Sequence, residues 1–273
     1  MLEQFFTSLG RASIEPALVF SIVVWMVFEN WRPFRPAGPN ASGHAVNNLT
    51  LTALNHGLML WLTPWLYLAC MSLLGAHWQG WLASEGLGFV NSFAVTLLAS
   101  ELLVYWMHRL FHAVPWLWRV HAVHHSDTET DVTTAHRHHP IEVLVGSVST
   151  LLLLLLLGPS QGVVLAYSLF RLATDAFSHA NISLPEKLNR LLNLVVVTPN
   201  FHRLHHMADR RYTNSNYGSV LPWFDTLFGT RQSLPVDQAL GQEYGLEYFR
   251  EAGDSRLDRL LAMPFRSGFP KQP

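Results

Sequence analysis

ELLVYWMHRLFHAVPWLWRVHAVHH, residues 101–125, runs from an apolar segment straight into five histidines. His108 and His112 stand at i and i+4, and His121, His124 and His125 at i, i+3 and i+4, so on a helix each set projects from one face. A third set, His202, His205 and His206, repeats the second spacing far downstream. That is ligand spacing, and a fold that gathers the three sets would build a metal site.

The rest of the chain sets this stretch in a membrane. Of 273 residues, 49% are hydrophobic and only 14% charged, with ten tryptophans, which is too apolar for an ordinary soluble domain. The formal net charge of −1 provides no broad basic surface, and the aromatics alternate with Leu and Val, so nucleic acid is excluded as a partner. Cys70 is the single cysteine, which rules out a disulfide framework and a thiolate metal site. The opening MLEQFFTSLGRASIEP lacks the basic and apolar regions of a removable leader.

Four apolar regions follow. Residues 14–31 end in Trp31 beside Arg32 and Arg35, an interfacial aromatic with a basic flank. Residues 49–75 are interrupted by His56 and Pro64 but are long enough to cross with a kink. Residues 88–107 carry Glu101 near their end, and a membrane-buried acid calls for a partner or a role. Residues 141–178 read as two helices back to back about Gly158-Pro159, each short of the roughly 20 residues of a full crossing, so a spanning and a re-entrant hairpin both stay open.

With the N-terminus outside, Arg11 is the lone basic residue there, and all three histidine sets fall on the cytoplasmic side. Residues 185–198 are expected as a helix on the membrane surface, and residues 242–250 as a weak amphipathic helix in a soluble tail. The expected architecture is therefore all-α: a single membrane-embedded domain over 1–273, with about four to five membrane helices and a cytosolic helical cap holding a histidine-rich di-metal site. The missing leader and short termini favour a bacterial inner membrane over an endoplasmic reticulum.

Twelve of the fifteen histidines lie between His108 and His206. A solvated histidine-rich face, or a tract that binds metal adventitiously, explains neither the HxxxH, HxxHH, HxxHH order nor its placement beside membrane segments. The lone His44, His56 and His77 read as structural. The eight box imidazoles exceed the four to six ligands one ion accepts, so two ions are expected. Imidazole suits iron, zinc, copper or nickel, and spacing alone does not choose among them.

In order, Trp106-Met107-His108-Arg109 with His112, His121-Ala122-Val123-His124-His125, Arg137-His138-His139-Pro140-Ile141-Glu142, Thr198-Pro199 with His202-Arg203-Leu204-His205-His206, and Asn216-Tyr217-Gly218 with residues 223–230 (WFDTLFGT) resemble the sterol desaturase and fatty acid hydroxylase superfamily. The resemblance covers about residues 90–231 and leaves 232–273 as a tail. It implies a membrane oxidoreductase with a histidine-ligated di-iron centre on the cytosolic face, taking O₂ as co-substrate to hydroxylate or desaturate a lipid, with zinc possible as purified. The implied ligands are His108, His112, His121, His124, His125, His202, His205 and His206.

His139, in the family-like R-x-H-P-x-E stretch, and His179, which shares a helix face with Arg171 and Asp175, join them as further candidates. His136 and His138 need not share the facing of His139 and stay outside the set. Glu101 and Asp175 are candidates to orient ligand imidazoles through the ring nitrogen turned away from metal. With no GxGxxG element, haem motif or cysteine cluster, electrons must come from a separate donor protein. A zinc-dependent membrane hydrolase is a rival reading. A metal carrier or sensor is another, although transport sites usually lie near the bilayer midplane. The lipid itself, whether fatty acyl, sterol, alkyl glycerol or carotenoid, is not legible.

Overall fold

The computed structural model of the chain describes residues 2–10, 13–38, 41–75 and 77–270. Arg11, on which the orientation leans, lies outside them. Fourteen α-helices form among the described residues: α1 (Leu2–Leu9), α2 (Ile14–Trp31), α3 (Ala41–Leu74), α4 (Trp81–Ser84), α5 (Phe89–Ala113), α6 (Pro115–His125), α7 (Pro140–Leu157), α8 (Gln161–His179), α9 (Glu186–Leu192), α10 (Pro199–His205), α11 (Arg210–Thr213), α12 (Trp223–Leu227), α13 (Val236–Leu240) and α14 (Leu257–Ala262). There is no strand among them, only two isolated bridges, Pro33 to Ile182 and Met207 to Tyr244.

α2, α3, α5 and α7 are long and apolar enough to cross a bilayer. They turn large apolar side chains outward, with Leu73 at 86% and Phe20 at 71% exposure, as helices solvated by lipid do. The protein is a multi-pass membrane helical bundle. α8 differs from its neighbours: half-buried Arg171 and Asp175 form an ion pair on it, with Nε 3.3 Å from Oδ2. It packs against α1, α2, α5 and α10.

Local sequence explains the corners. α5 continues past the expected end of the third span to Ala113, so the span and the first histidine box are one helix. It breaks at Val114, where Pro115 opens α6, because the residue before a proline is driven out of the helical region. α7 ends at Gly158 in the left-handed conformation (φ 64°), and the Ser160 side chain accepts from the Val163 N–H to start α8. A Cβ on Gly158 would lie 2.1 Å from the Gln79 carbonyl oxygen, so only glycine lets the connection before α4 press against this turn.

Two expected helices differ. The surface helix of 185–198 is only α9, ending at Leu192, although Leu191 on it and Leu194 and Val195 beyond it are exposed. No helix forms over 242–250. Gly245 takes φ 90° and Phe249 φ 55°, and the Arg250 guanidinium donates to the carbonyls of Tyr244 and Leu246, so that segment is a loop and the helical turn falls earlier, at α13. The tail packs on the site layer, with Leu246, Leu260 and Met263 closing over Trp118, Ala122 and Val123 of α6.

Candidate metal centre

All three boxes converge at the ends of α5, α6 and α10, joined by His179 at the end of α8. Their ligand atoms fall into two groups, each within 4.8 Å: His108, His112, His121, His125 and His205, and then His124, His179, His202 and His206. Helix geometry sorts them. In each HxxHH box the i and i+4 rings share a face while the ring between points aside. His121 and His125 therefore join the first group and His124 the second, whereas His202 and His206 join the second and His205 crosses to the first.

The outer ring nitrogens of the first group are tied down. His108 Nδ1–H donates to the Tyr217 carbonyl (2.8 Å), His205 Nδ1–H to the Ser215 carbonyl (2.7 Å), His121 Nδ1–H to Glu142 Oε1 (2.6 Å) and His112 Nδ1–H to Asn214 Oδ1 (3.1 Å). A carbonyl or carboxylate only accepts, so the proton of each ring sits on Nδ1 and Nε2 is a bare lone pair. Yet His108 Nε2 lies 3.0 Å from His121 Nε2 and 2.9 Å from His205 Nε2. Between neutral rings these cannot be hydrogen bonds, because neither partner then has a proton to give. Lone pairs held this close need a cation between them, and two nitrogens each about 2.1 Å from one ion lie about 3.0–3.4 Å apart. The donor set fits a bound metal.

In the second group His179 Nδ1–H donates to the Asp175 carbonyl (2.8 Å), which leaves its Nε2 3.0 Å from His202 Nε2 and 3.4 Å from His124 Nε2. Nδ1 of His124, His202 and His206 is buried without a hydrogen-bond partner among the described residues. Burial, reinforced by neighbouring imidazoles, holds His124, His125, His202, His205 and His206 far below the ordinary histidine pKa. Their rings are neutral at neutral pH, as metal ligation requires.

Other expected site residues go elsewhere. His139 lies outside both groups: Nδ1 accepts from the Ile141 N–H to cap α7, and Nε2 is 3.2 Å from the Leu261 carbonyl. Glu101 meets no imidazole. Its Oε2 accepts from the Val220 N–H at 2.7 Å and its Oε1 from the Tyr167 hydroxyl at 3.4 Å, so it anchors the loop after Tyr217 to α5. Asp175 serves His179 through its backbone carbonyl, while its carboxylate takes Arg171 and the Ser219 hydroxyl.

Three supports lie inside the quoted motif stretches but are not among the expected site residues. Glu142 accepts from both His121 and His138 (2.6 and 2.9 Å), and His138 in turn stacks on His124 with ring centroids 4.4 Å apart. Burial alone would depress His138, but the Glu142 carboxylate overrides it and raises its pKa. Arg137, 1% exposed, clamps the end of α6 to α3 by donating to the Val123 carbonyl, Ser126 Oγ and Asn48 Oδ1. Asp225 gathers the N–H groups of Tyr217 and Gly218 (2.8 and 2.7 Å) and so fixes the carbonyl that orients His108.

Four apolar crossing helices, with two all-imidazole clusters gathered at the ends of α5, α6, α8 and α10, define a membrane protein with a histidine-built layer able to hold metal. The chain belongs to the fatty acid hydroxylase family, whose profile matches residues 93–230. Human alkylglycerol monooxygenase is 32% identical over 128 residues, 46% of this chain and 27% of that protein. Ornithine lipid hydroxylase OlsE of Rhizobium tropici is 33% identical over 139 residues, 51% of this chain and 41% of its own. Methylsterol monooxygenase 2-2 of Arabidopsis thaliana is 30% identical over 135 residues, 49% of each. The chain thus covers between about a quarter and a half of these relatives' lengths. No solved structure matches it.

Proposed function

We propose that the protein is a membrane oxidoreductase that uses O₂ to hydroxylate or desaturate a lipid at two iron ions. One would be held by His108, His112, His121, His125 and His205, and the other by His124, His179, His202 and His206. The opposed bare Nε2 atoms of His108, His121 and His205 carry the reading, and relatives named as lipid monooxygenases and hydroxylases direct it toward lipid oxidation. Iron bound there would supply the O₂ activation needed to break an unactivated C–H bond.

The chain's own part is positioning and exclusion. The Ser215 and Tyr217 carbonyls and the Glu142 carboxylate lock three imidazoles in the tautomer that turns Nε2 inward. Seven of the nine rings are buried, and His108 and His179 are the half-buried members, so O₂ and substrate approach past those two. His108 stands near the end of the crossing helix α5 and His179 ends α8, which packs against it, and this suits a substrate delivered from lipid. A cytoplasmic site and a separate electron-donor protein complete the proposal.

Metal analysis of the purified protein tests it. About two iron per chain, with O₂ uptake that depends on added lipid and reductant, is the expected result. Tightly held zinc, with no O₂ uptake after iron reconstitution, overturns it. Mass spectrometry of host lipids with and without the gene then identifies the substrate.

A further inference from the structure

Away from half-buried His108 and His179, the first group is linked to the surface by an aromatic contact that begins at His112. A shallow surface dimple is lined by Trp118, Arg210, Asn214, Glu247 and Tyr248. Two of these residues touch the ligand His112: exposed Asn214 accepts its Nδ1–H at 3.1 Å, and the Trp118 ring lies 4.9 Å from it, centroid to centroid. Trp118 is also 5.4 Å from His125, is only 7% exposed, and donates its Nε1–H to the Tyr248 hydroxyl at 2.8 Å. We propose that the Trp118–Tyr248 pair is the route by which electrons pass from a one-electron carrier protein at this dimple to the ion of the first group.

The proposal rests on the iron reading above. Electron tunnelling falls steeply with distance, which favours the fewest steps between surface and ligand. Tyr248 and Trp118 make that passage with two rings, against three on the rival path. The rival aromatic path starts at exposed Trp106 and needs Tyr105 (5.7 Å), then Tyr217 (6.2 Å), before His108 (5.5 Å). The step moves one electron: the reduced carrier is oxidised, one ferric ion becomes ferrous, and no covalent bond forms or breaks. Tyr248 comes from the tail beyond the family match, so the carrier contact is built partly from this chain's own extension.

Flash photoreduction of the iron-loaded chain tests this without knowing the carrier. In a Cys70→Ser background, a ruthenium photosensitiser is attached at Glu247→Cys, beside the dimple, or at Leu227→Cys, beside the rival path, and bleaching of the ferric absorbance is timed. Injection from Glu247→Cys should be the faster, and Trp118→Leu should remove that advantage with iron content unchanged. Trp118→Phe, which keeps a ring against His112, should slow it less. Equal rates from the two labels, or a Glu247→Cys rate indifferent to Trp118→Leu, overturns the route. If Trp118→Leu fails to load iron, the two label sites and Trp118→Phe decide. A chain that loads no reducible metal, and shows no flash signal from either label, overturns the iron reading instead.

Discussion

The two histidine groups share the second and third boxes but are held differently. Four of the five rings in the first have their outer nitrogen fixed by Tyr217, Ser215, Glu142 or Asn214, groups on other segments of the chain. In the second only His179 is fixed, by a carbonyl of its own helix, and three outer nitrogens have no partner among the described residues. The first group is pre-formed by the protein, whereas the second, under the proposed reading, would lean on its ion for final orientation. Outer partners raise ligand basicity and fix ring direction, so the two sites should differ in affinity even though both are all imidazole.

The largest expected effect removes a ligand from each side. His205→Ala and His124→Ala should each abolish turnover, with metal analysis showing the loss of one ion, and retained activity in either would show that the grouping is wrong. Glu142→Ala comes next. It frees His121, and metal affinity or activity should fall roughly 10–100-fold, read by titration and O₂ uptake. An unchanged affinity would mean that the outer partners do not distinguish the groups.

Timed chelation compares the groups directly. The ion of the second group should leave about tenfold faster than that of the first, as seen by assigning the residual metal spectrum in the two alanine variants. Simultaneous loss would erase the contrast. The smallest effect is on the metal-free protein. Because the folded pKa of His124, His125, His202, His205 and His206 lies below the unfolded value, the unfolded chain takes up protons first as pH falls. Stability should be full above about pH 6.5 and decline below it, measured by thermal melts in detergent. A flat profile would show that these rings are protonated in the folded state.

Much of this was legible in the residue order. Hydropathy placed the first span at 14–31, the bounds of α2, and helical spacing isolated the boxes. What spacing could not convey is that the boxes are not the units of the site. His124 and His125 are neighbours in sequence and fall in different groups, because consecutive helical residues point about 100° apart. The outer anchors were hidden for another reason: Ser215 and Tyr217 act through backbone carbonyls, which carry no residue signature, and depend on Asn216 adopting φ 54°. In the R-x-H-P-x-E stretch the eye falls on His139. The fold instead turns Arg137 and Glu142 toward the ligands and leaves His139 to cap a helix.

The crossing of ligands between boxes also bears on how the protein is made. When synthesis reaches residue 200, four of the five rings of the first group already exist, but only His124 and His179 of the second. The nascent chain can hold one ion early, while the other must wait for α10 to fold back beneath α8. Metal supply to the growing membrane protein would then be sequential, and a chain starved of iron late in its synthesis would be expected to emerge half-loaded instead of empty.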